Sequence, residues 1–441
     1  MQQNGQENGQ ENEPLTTKSK KRAKFTVDLT PLRKYPDLRF LFASGLITRF
    51  GSALTLVALP FQIKELTNSY IAVGLMGAVE IVPLIVFALY GGVLADTVDR
   101  KRMVWVCEAI ALGLSATLFS NALLHKPHLV LIYCVAAGFA ASDGLQSPSL
   151  GAMLPRLVDH DDLPAAQSLM SLRWQVSAII GPSVAGIIIA TAGVKTAYIV
   201  DVVTYLLSVA LILRIYAIPP IAGAASKSIA SMFSGIHYAA SRKDLLGTYL
   251  VDLCAMFFAM PNALFPFWAD HIHARWALGF FYASGTIGAV IVTATSGWMK
   301  TFTRNGWAIT LAAAGWGICI VLAGVTNSLW FVLLFLGLAG ASDQVSALCR
   351  GNIWNQSIPD EYRGRLAGLE LLSYSVGPLA GQLRAGTVAA MTTLRTSVVS
   401  GGLLCIAGVS FVAAKLPQFR TYDSLTNPHA VLQREKKNQR K

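Results

Sequence analysis

Residues 71–102 read IAVGLMGAVEIVPLIVFALYGGVLADTVDRKR. Residues 71–95 hold a single charged side chain, Glu80, and the run then stops at a cluster of Arg100, Lys101 and Arg102. A helix rises 1.5 Å per residue, so a run of this length reaches about 37 Å, enough to cross the roughly 30 Å hydrocarbon core of a bilayer. The run is continuous rather than alternating, which excludes a strand of a membrane barrel. It reads as a transmembrane helix anchored at one end by a basic loop.

The same pattern recurs on both sides. Apolar runs of spanning length are predicted at 39–63, 71–95, 103–124, 128–150, 165–190, 195–214, 246–268, 276–298, 306–325, 328–350, 365–388 and 394–415. The composition agrees: of 441 residues 54% are hydrophobic and 14% charged, and the mean hydropathy is +0.50. A water-soluble domain could not cover that much apolar surface with so few charges. The net charge of +12 could suggest nucleic acid. Its Lys and Arg residues, however, sit in short clusters between apolar runs, which is the pattern that orients membrane helices. The six cysteines lie inside apolar segments without metal-ligand or redox spacing, and His271 and His273 have no third ligand nearby. No metal or other cofactor is expected.

The expected organisation is an all-α integral membrane protein with twelve transmembrane helices in two pseudo-symmetric six-helix halves. Residues 1–34 form a disordered basic N-terminus, not a cleavable signal. The halves cover 35–216 and 246–415, a linker covers 217–245, and a tail covers 416–441. The halves resemble each other in sequence. Gly138-Phe-Ala-Ala-Ser142-Asp143 corresponds to Gly337-Leu-Ala-Gly-Ala-Ser342-Asp343. Gly181-Pro182-Ser-Val-Ala-Gly186 corresponds to Gly377-Pro378-Leu-Ala-Gly381. Transporters built from two such halves hold substrate between them near the bilayer midplane.

The loop Gly91-Gly92-Val-Leu-Ala-Asp96-Thr-Val-Asp99-Arg100-Lys101-Arg102 resembles the signature of the major facilitator superfamily. Thr97 stands where a basic residue is usual and Asp99 where a glycine is usual. The resemblance implies a conformational gate: Gly92 for close helix packing, Asp96 at a neighbouring helix N-terminus, and Arg100, Lys101 and Arg102 pairing with acids of the facing half. Leu59-Pro60-Phe61-Gln62-Ile63 and Pro359-Asp360-Glu361-Tyr362-Arg363-Gly364-Arg365 are similar to the branch that contains the bacterial enterobactin exporter and macrolide efflux proteins. Gly181-Pro182 and Gly377-Pro378 are helix-kink motifs, because proline removes an N–H from the helical ladder. The first resembles the antiporter motif of superfamily exporters.

Charges inside the membrane are costly and need a role. Arg49 falls roughly 15 Å and Glu80 roughly 14 Å from a span end, so both sit near the midplane on adjacent helices. A coupling pair and a structural ion pair both fit them. Asp143, Asp252 and Asp343 lie nearer the basic end of their spans, as cavity or gate residues. In the superfamily fold the spans carrying Arg49, Asp143, Asp252 and Asp343 line the central cavity. Arg173, Asp201, Glu370 and Arg384 read as helix-packing residues, and Glu108 as snorkelling from the basic end.

These readings converge on a monomeric secondary transporter of the cell (inner or plasma) membrane, not an enzyme. The expected activity is proton-driven or other ion-driven export of a small amphipathic molecule such as a siderophore, drug or secondary metabolite. Nutrient uptake on the same fold is the alternative, and a membrane enzyme or sensor is disfavoured by the absence of a nucleophile–base pair or Walker loop. The expected partners are substrate, coupling ion and lipid, not nucleic acid. The basic loops put both termini in the cytoplasm. Reporter fusions near residues 101, 230 and 430 are therefore expected to read inside, and those near 126, 195 and 273 outside. An inside signal at 195 would break the twelve-span arrangement.

Overall fold

The computed structural model describes residues 28–216, 218, 237–300 and 302–439, and the regular structure among them is helical. Lipid supplies no hydrogen bonds, so each spanning backbone must satisfy its own polar groups. The helices are α1 (Thr30–Lys34), α2 (Pro36–Thr67), α3 (Tyr70–Thr97), α4 (Arg100–Leu123), α5 (Leu129–Leu157) and α6 (Leu163–Leu213). They continue with α7 (Lys243–Phe258), α8 (Phe265–His271), α9 (Leu278–Ala294), α10 (Asn305–Val325), α11 (Leu329–Ser357), α12 (Asp360–Met391), α13 (Leu394–Lys415), α14 (Pro417–Arg420) and α15 (Pro428–Gln439). Among the described residues, ten helical stretches are long and apolar enough to cross a membrane. The chain is a multi-pass membrane protein.

Helix ends follow local chemistry. Ser69 Oγ accepts the Ala72 N–H at the start of α3, and Asp99 caps α4 by accepting the Arg102 N–H at 2.8 Å. Asn68 closes α2 in the left-handed conformation, φ +46°.

Two expected spans differ from simple rods. The runs 165–190 and 195–214 form one 51-residue helical stretch, about 76 Å of rise, more than twice a bilayer core. Gly193, at φ +79°, breaks it. Contacts with α2 show that the chain doubles back there. Arg173 packs on Gly45 and Gly181 on Ala53, in ascending order. Tyr198 then bonds Gln62, Asp201 bonds Thr55 and Tyr205 bonds Ser52, in descending order. The run 246–268, expected as one helix, is interrupted between α7 and α8 by Pro261 and a short 3-10 turn at Asn262–Leu264. A residue before proline avoids the α region, so the helix ends ahead of it.

Glycines set the helix crossings. A side-chain carbon at Gly74 would meet the Gln382 carbonyl oxygen at 2.8 Å, and one at Gly77 the Leu379 oxygen at 2.3 Å, so α3 and α12 touch backbone to backbone. Gly186 and Gly279 do the same for α6 and α9. In the first case the α12 register puts Gly386 beside Gly74. Gly91 meets the Leu145 oxygen at 2.6 Å, whereas nothing lies within 4 Å of Gly92. The close approach expected at Gly92 is therefore made by its neighbour, because Gly91 is the residue turned toward α5.

On the face carrying the basic loops, α1 is clamped to the turn before α6. Lys34 bridges Asp159 and Asp162 at 2.9 and 2.8 Å, and the Tyr35 hydroxyl donates to both. Tyr35 and Lys34 hold the Asp159 carboxyl below its usual range, and Lys34 and Tyr35 do so for Asp162. The sign follows: the clamp contributes at neutral pH and is lost as pH falls below the carboxylate range. The disorder expected through residue 34 does not hold for residues 28–34, which carry α1; residues 1–27 lie outside the described residues. So do 217 and 219–236 of the expected linker. The segment after 415 is packed rather than a free tail: Phe419 and Tyr422 are buried, Phe419 against Gly247, and α15 lies on α11.

Gly285 and Gly288 of α9 face Gly337 and Gly340 of α11, where a side-chain carbon at 340 would sit 2.0 Å from the Gly285 oxygen. Gly340→Val should cost about 1–3 kcal/mol by overpacking, read as a lower melting temperature in detergent. Gly151→Ala, with nothing within 4 Å of its added carbon, should not lower it.

Candidate functional site

Three groups of charges lie along the space between the helices. The first is on the distal face, opposite the basic loops. Lys64, at the end of α2, contacts Asp270 of α8 and Glu65. Arg275 completes the group, with Nε 2.6 Å from Asp270 Oδ1. These ion pairs join α2 to the α8 region.

The second group is built by α2, α4, α5 and α6. Arg49, Glu108, Asp143 and Arg173 line an enclosed cavity of about 80 Å³, with Ser52, Tyr205 and Gln146. Glu108 is buried, not snorkelling: it accepts from Thr48 at 2.8 Å and from Gln146 at 2.8 Å. Arg173 donates to the Leu41 carbonyl at 2.9 Å, and its guanidinium occupies the space that Gly45 leaves empty. Asp143 and Arg49 share this cavity without an ion pair within 4 Å.

Glu80 is elsewhere. It does not line this cavity, and no ion pair within 4 Å joins it to Arg49. Arg49 shares its cavity with Asp143 instead, so the expected Arg49–Glu80 ion pair is not formed.

The third group joins α7 and α11. Asp252 Oδ1 lies 2.6 Å from Arg350 Nη1, and Asp343 Oδ1 lies 3.8 Å from Arg350 Nη2. Asp252 and Arg350 are buried. The two acids expected from sequence are thus brought together by an arginine the sequence reading passed over. Its signal was spacing, since Arg350 follows Asp343 by seven residues, two helical turns on the same face.

The gate motif is arranged differently from the expectation. Arg100 is buried and its backbone N–H donates to Ile218; Lys101 Nζ donates to the Leu213 carbonyl at 2.9 Å. Among the described residues Arg100, Lys101 and Arg102 form no ion pair within 4 Å with acids of the later helices. Lys101 instead neutralises the C-terminal end of α6, a favourable place for a cation. Asp99, in place of the usual glycine, supplies the α4 cap. The side chain of Asp96 lies outside the described residues. Pro182 and Pro378 sit inside α6 and α12, and Gly377 faces Met256 of α7.

A cavity of about 500 Å³ opens beyond Arg49 and Arg173, between α6 and α9, with Gln344 of α11 on its wall. This is the size of a small-molecule site.

The profile of the transmembrane secretion effector family matches residues 26–440. The chain belongs to this family. It is thereby one of the major facilitator transporters, and a transporter rather than an enzyme. An enterobactin exporter, EntS, of Shigella boydii serotype 18 is 29% identical over 401 residues, which are 89% of this chain and 96% of that protein. Solved structures share the fold at low identity. A POT family transporter in complex with 5-aminolevulinic acid superposes with a TM-score of 0.71 at 11% identity, over 87% of this chain and 97% of that one. The nucleoside transporter NupG gives 0.66 at 12%, over 87% and 98%.

Removing one partner of a buried ion pair costs about 3–5 kcal/mol, because it strands the other charge. Arg350→Met should therefore lower the melting temperature strongly. Adding Asp252→Asn should recover part of that loss, so that the double variant is less destabilised than the sum of the singles. Strict additivity would show the pair to be uncoupled.

Proposed function

We propose that this transporter exports a small amphipathic molecule by alternating access, driven by an ion gradient. The observation that carries the reading is the asymmetry of closure: an ionic seal at Lys64–Asp270 on the distal face, with an open cavity below it. That is the arrangement of a carrier waiting to load from the basic side. The similarity to an enterobactin exporter supports outward transport of a small molecule and an inner-membrane location. The basic loops support placing the loading side in the cytoplasm.

Twelve crossings in two halves follow from the helices when the hairpin at Gly193 counts as two and α12 is added to the ten apolar stretches. The halves then meet along α3–α12 and α6–α9. Glu80 lies three residues from Gly77 at the first of these seams, and Asp143 beside Gly144, where α5 packs on α3 near Leu84. Rocking at that seam changes the surroundings of both acids together. They are the proposed proton carriers, with Arg49 the cation that lines the same cavity as Asp143.

Glu80→Gln keeps shape and removes charge. In proteoliposomes it should leave protein abundance normal, abolish uphill efflux and retain downhill exchange. Uphill transport at the wild-type rate would transfer the role to Asp143, Asp252 and Asp343. Movement only on addition of ATP would overturn gradient coupling altogether, and uphill uptake into intact cells would reverse the direction.

A further inference from the structure

The large cavity has an uneven charge. It is lined by Arg49, Arg173, Trp174, Gln175, Gln344 and Thr286, with other small or apolar side chains, and among the described residues no carboxylate lines it. Glu108 and Asp143 line the adjoining 80 Å³ cavity, which shares the two arginines and is too small for an organic molecule. Neither guanidinium is within 4 Å of a carboxylate among the described residues. Glu108 spends its oxygens on Thr48 and Gln146 instead. Arg173 gives one N–H to the Leu41 carbonyl, while its buried Nε has no partner. Arg49 is exposed to the open space. Trp174 follows Arg173 in sequence and is 51% exposed on the same cavity wall.

Two guanidiniums with spare donors, beside an indole face, recognise a particular chemistry. Arginine forks match carboxylate or other oxyanion geometry, and an exposed indole offers a flat apolar surface to a ring. A lipophilic cation would meet like charge and no counter-charge. We propose that the cavity binds a small organic anion carrying a planar ring, with Arg49 and Arg173 on its anionic group and Trp174 against the ring. Gln175 and Gln344 supply neutral hydrogen bonds beyond them. The assignment rests on the transporter reading for its meaning but not for its measurement, because it concerns equilibrium binding.

The test uses the full-length protein in lipid nanodiscs and three ring probes of one shape: 2-naphthoate, 2-naphthamide and 2-naphthylmethylammonium. Wild type should bind the anion at least about tenfold more tightly than the amide, and the ammonium least, since a hydrogen bond to a charged group is worth that factor or more. Arg49→Gln should erase most of the anion preference, Arg49→Lys should retain part of it, and Trp174→Leu should weaken the anion and the amide equally. Arg173→Gln should act like Arg49→Gln. Because Arg173 also holds the Leu41 carbonyl, its result counts only if the melting temperature is kept, and Arg49→Gln decides otherwise. Equal affinity for the amide or the ammonium, or an unchanged anion preference in folded Arg49→Gln, overturns the proposal. Anion-selective binding with no flux in liposomes would leave this site standing and defeat the export reading. Wild-type efflux of a neutral or cationic dye by folded Arg49→Gln, with no anion preference in binding, would do the reverse.

Discussion

Backbone contact through glycine is the constraint on which this molecule depends. Lipid tails are as apolar as leucine, so helices in a membrane gain little from burying apolar surface and adhere instead by close packing. The α3–α12 and α6–α9 seams are built this way, with Gly74, Gly77 and Gly386 in one and Gly186 and Gly279 in the other. Such contacts have almost no side chain to reorganise. A seam of this kind can tilt without melting a core, and the cavity is the space left beside the α6–α9 seam.

Charge is arranged with equal economy. Asp252 and Arg350 are buried as partners, with Asp343 at the longer distance, so their cost is largely local and balanced. Glu108 is stabilised by neutral donors rather than by the arginines near it. That leaves Arg49 and Arg173 available to the cavity. The two clusters, around Asp143 and around Asp343, are wired differently. One is closed upon itself, and the other opens toward the space a substrate would fill.

Much of this was legible in the chain itself. The spans could be read because a bilayer imposes a length and an apolar composition on each segment, and the break at Gly193 fell between two of them. Depth along a span could also be estimated, from rise per residue. Rotation could not. Whether Gly91 or Gly92 turns toward α5, and whether Glu108 points to solvent or inward, depend on how helices distant in sequence are phased against one another. Arg350 was missed for a related reason: it lies at a predicted span boundary, where a basic residue reads as an anchor, and only its phase with Asp343 marks it as internal.

At the rim of the distal group Glu65 and Arg275 remain 43% and 57% exposed, while Lys64 beneath them is only 6% exposed. Exposed pairs are screened by dissolved salt, with a Debye length of about 10 Å at 0.1 M and about 3 Å at 1 M. The buried Asp252–Arg350 contact has no such sensitivity. The medium bathing the distal face therefore acts on the outer Glu65–Arg275 pair more than on the Lys64 contact beneath it. A saline medium would loosen that outer pair, and a dilute one would hold it.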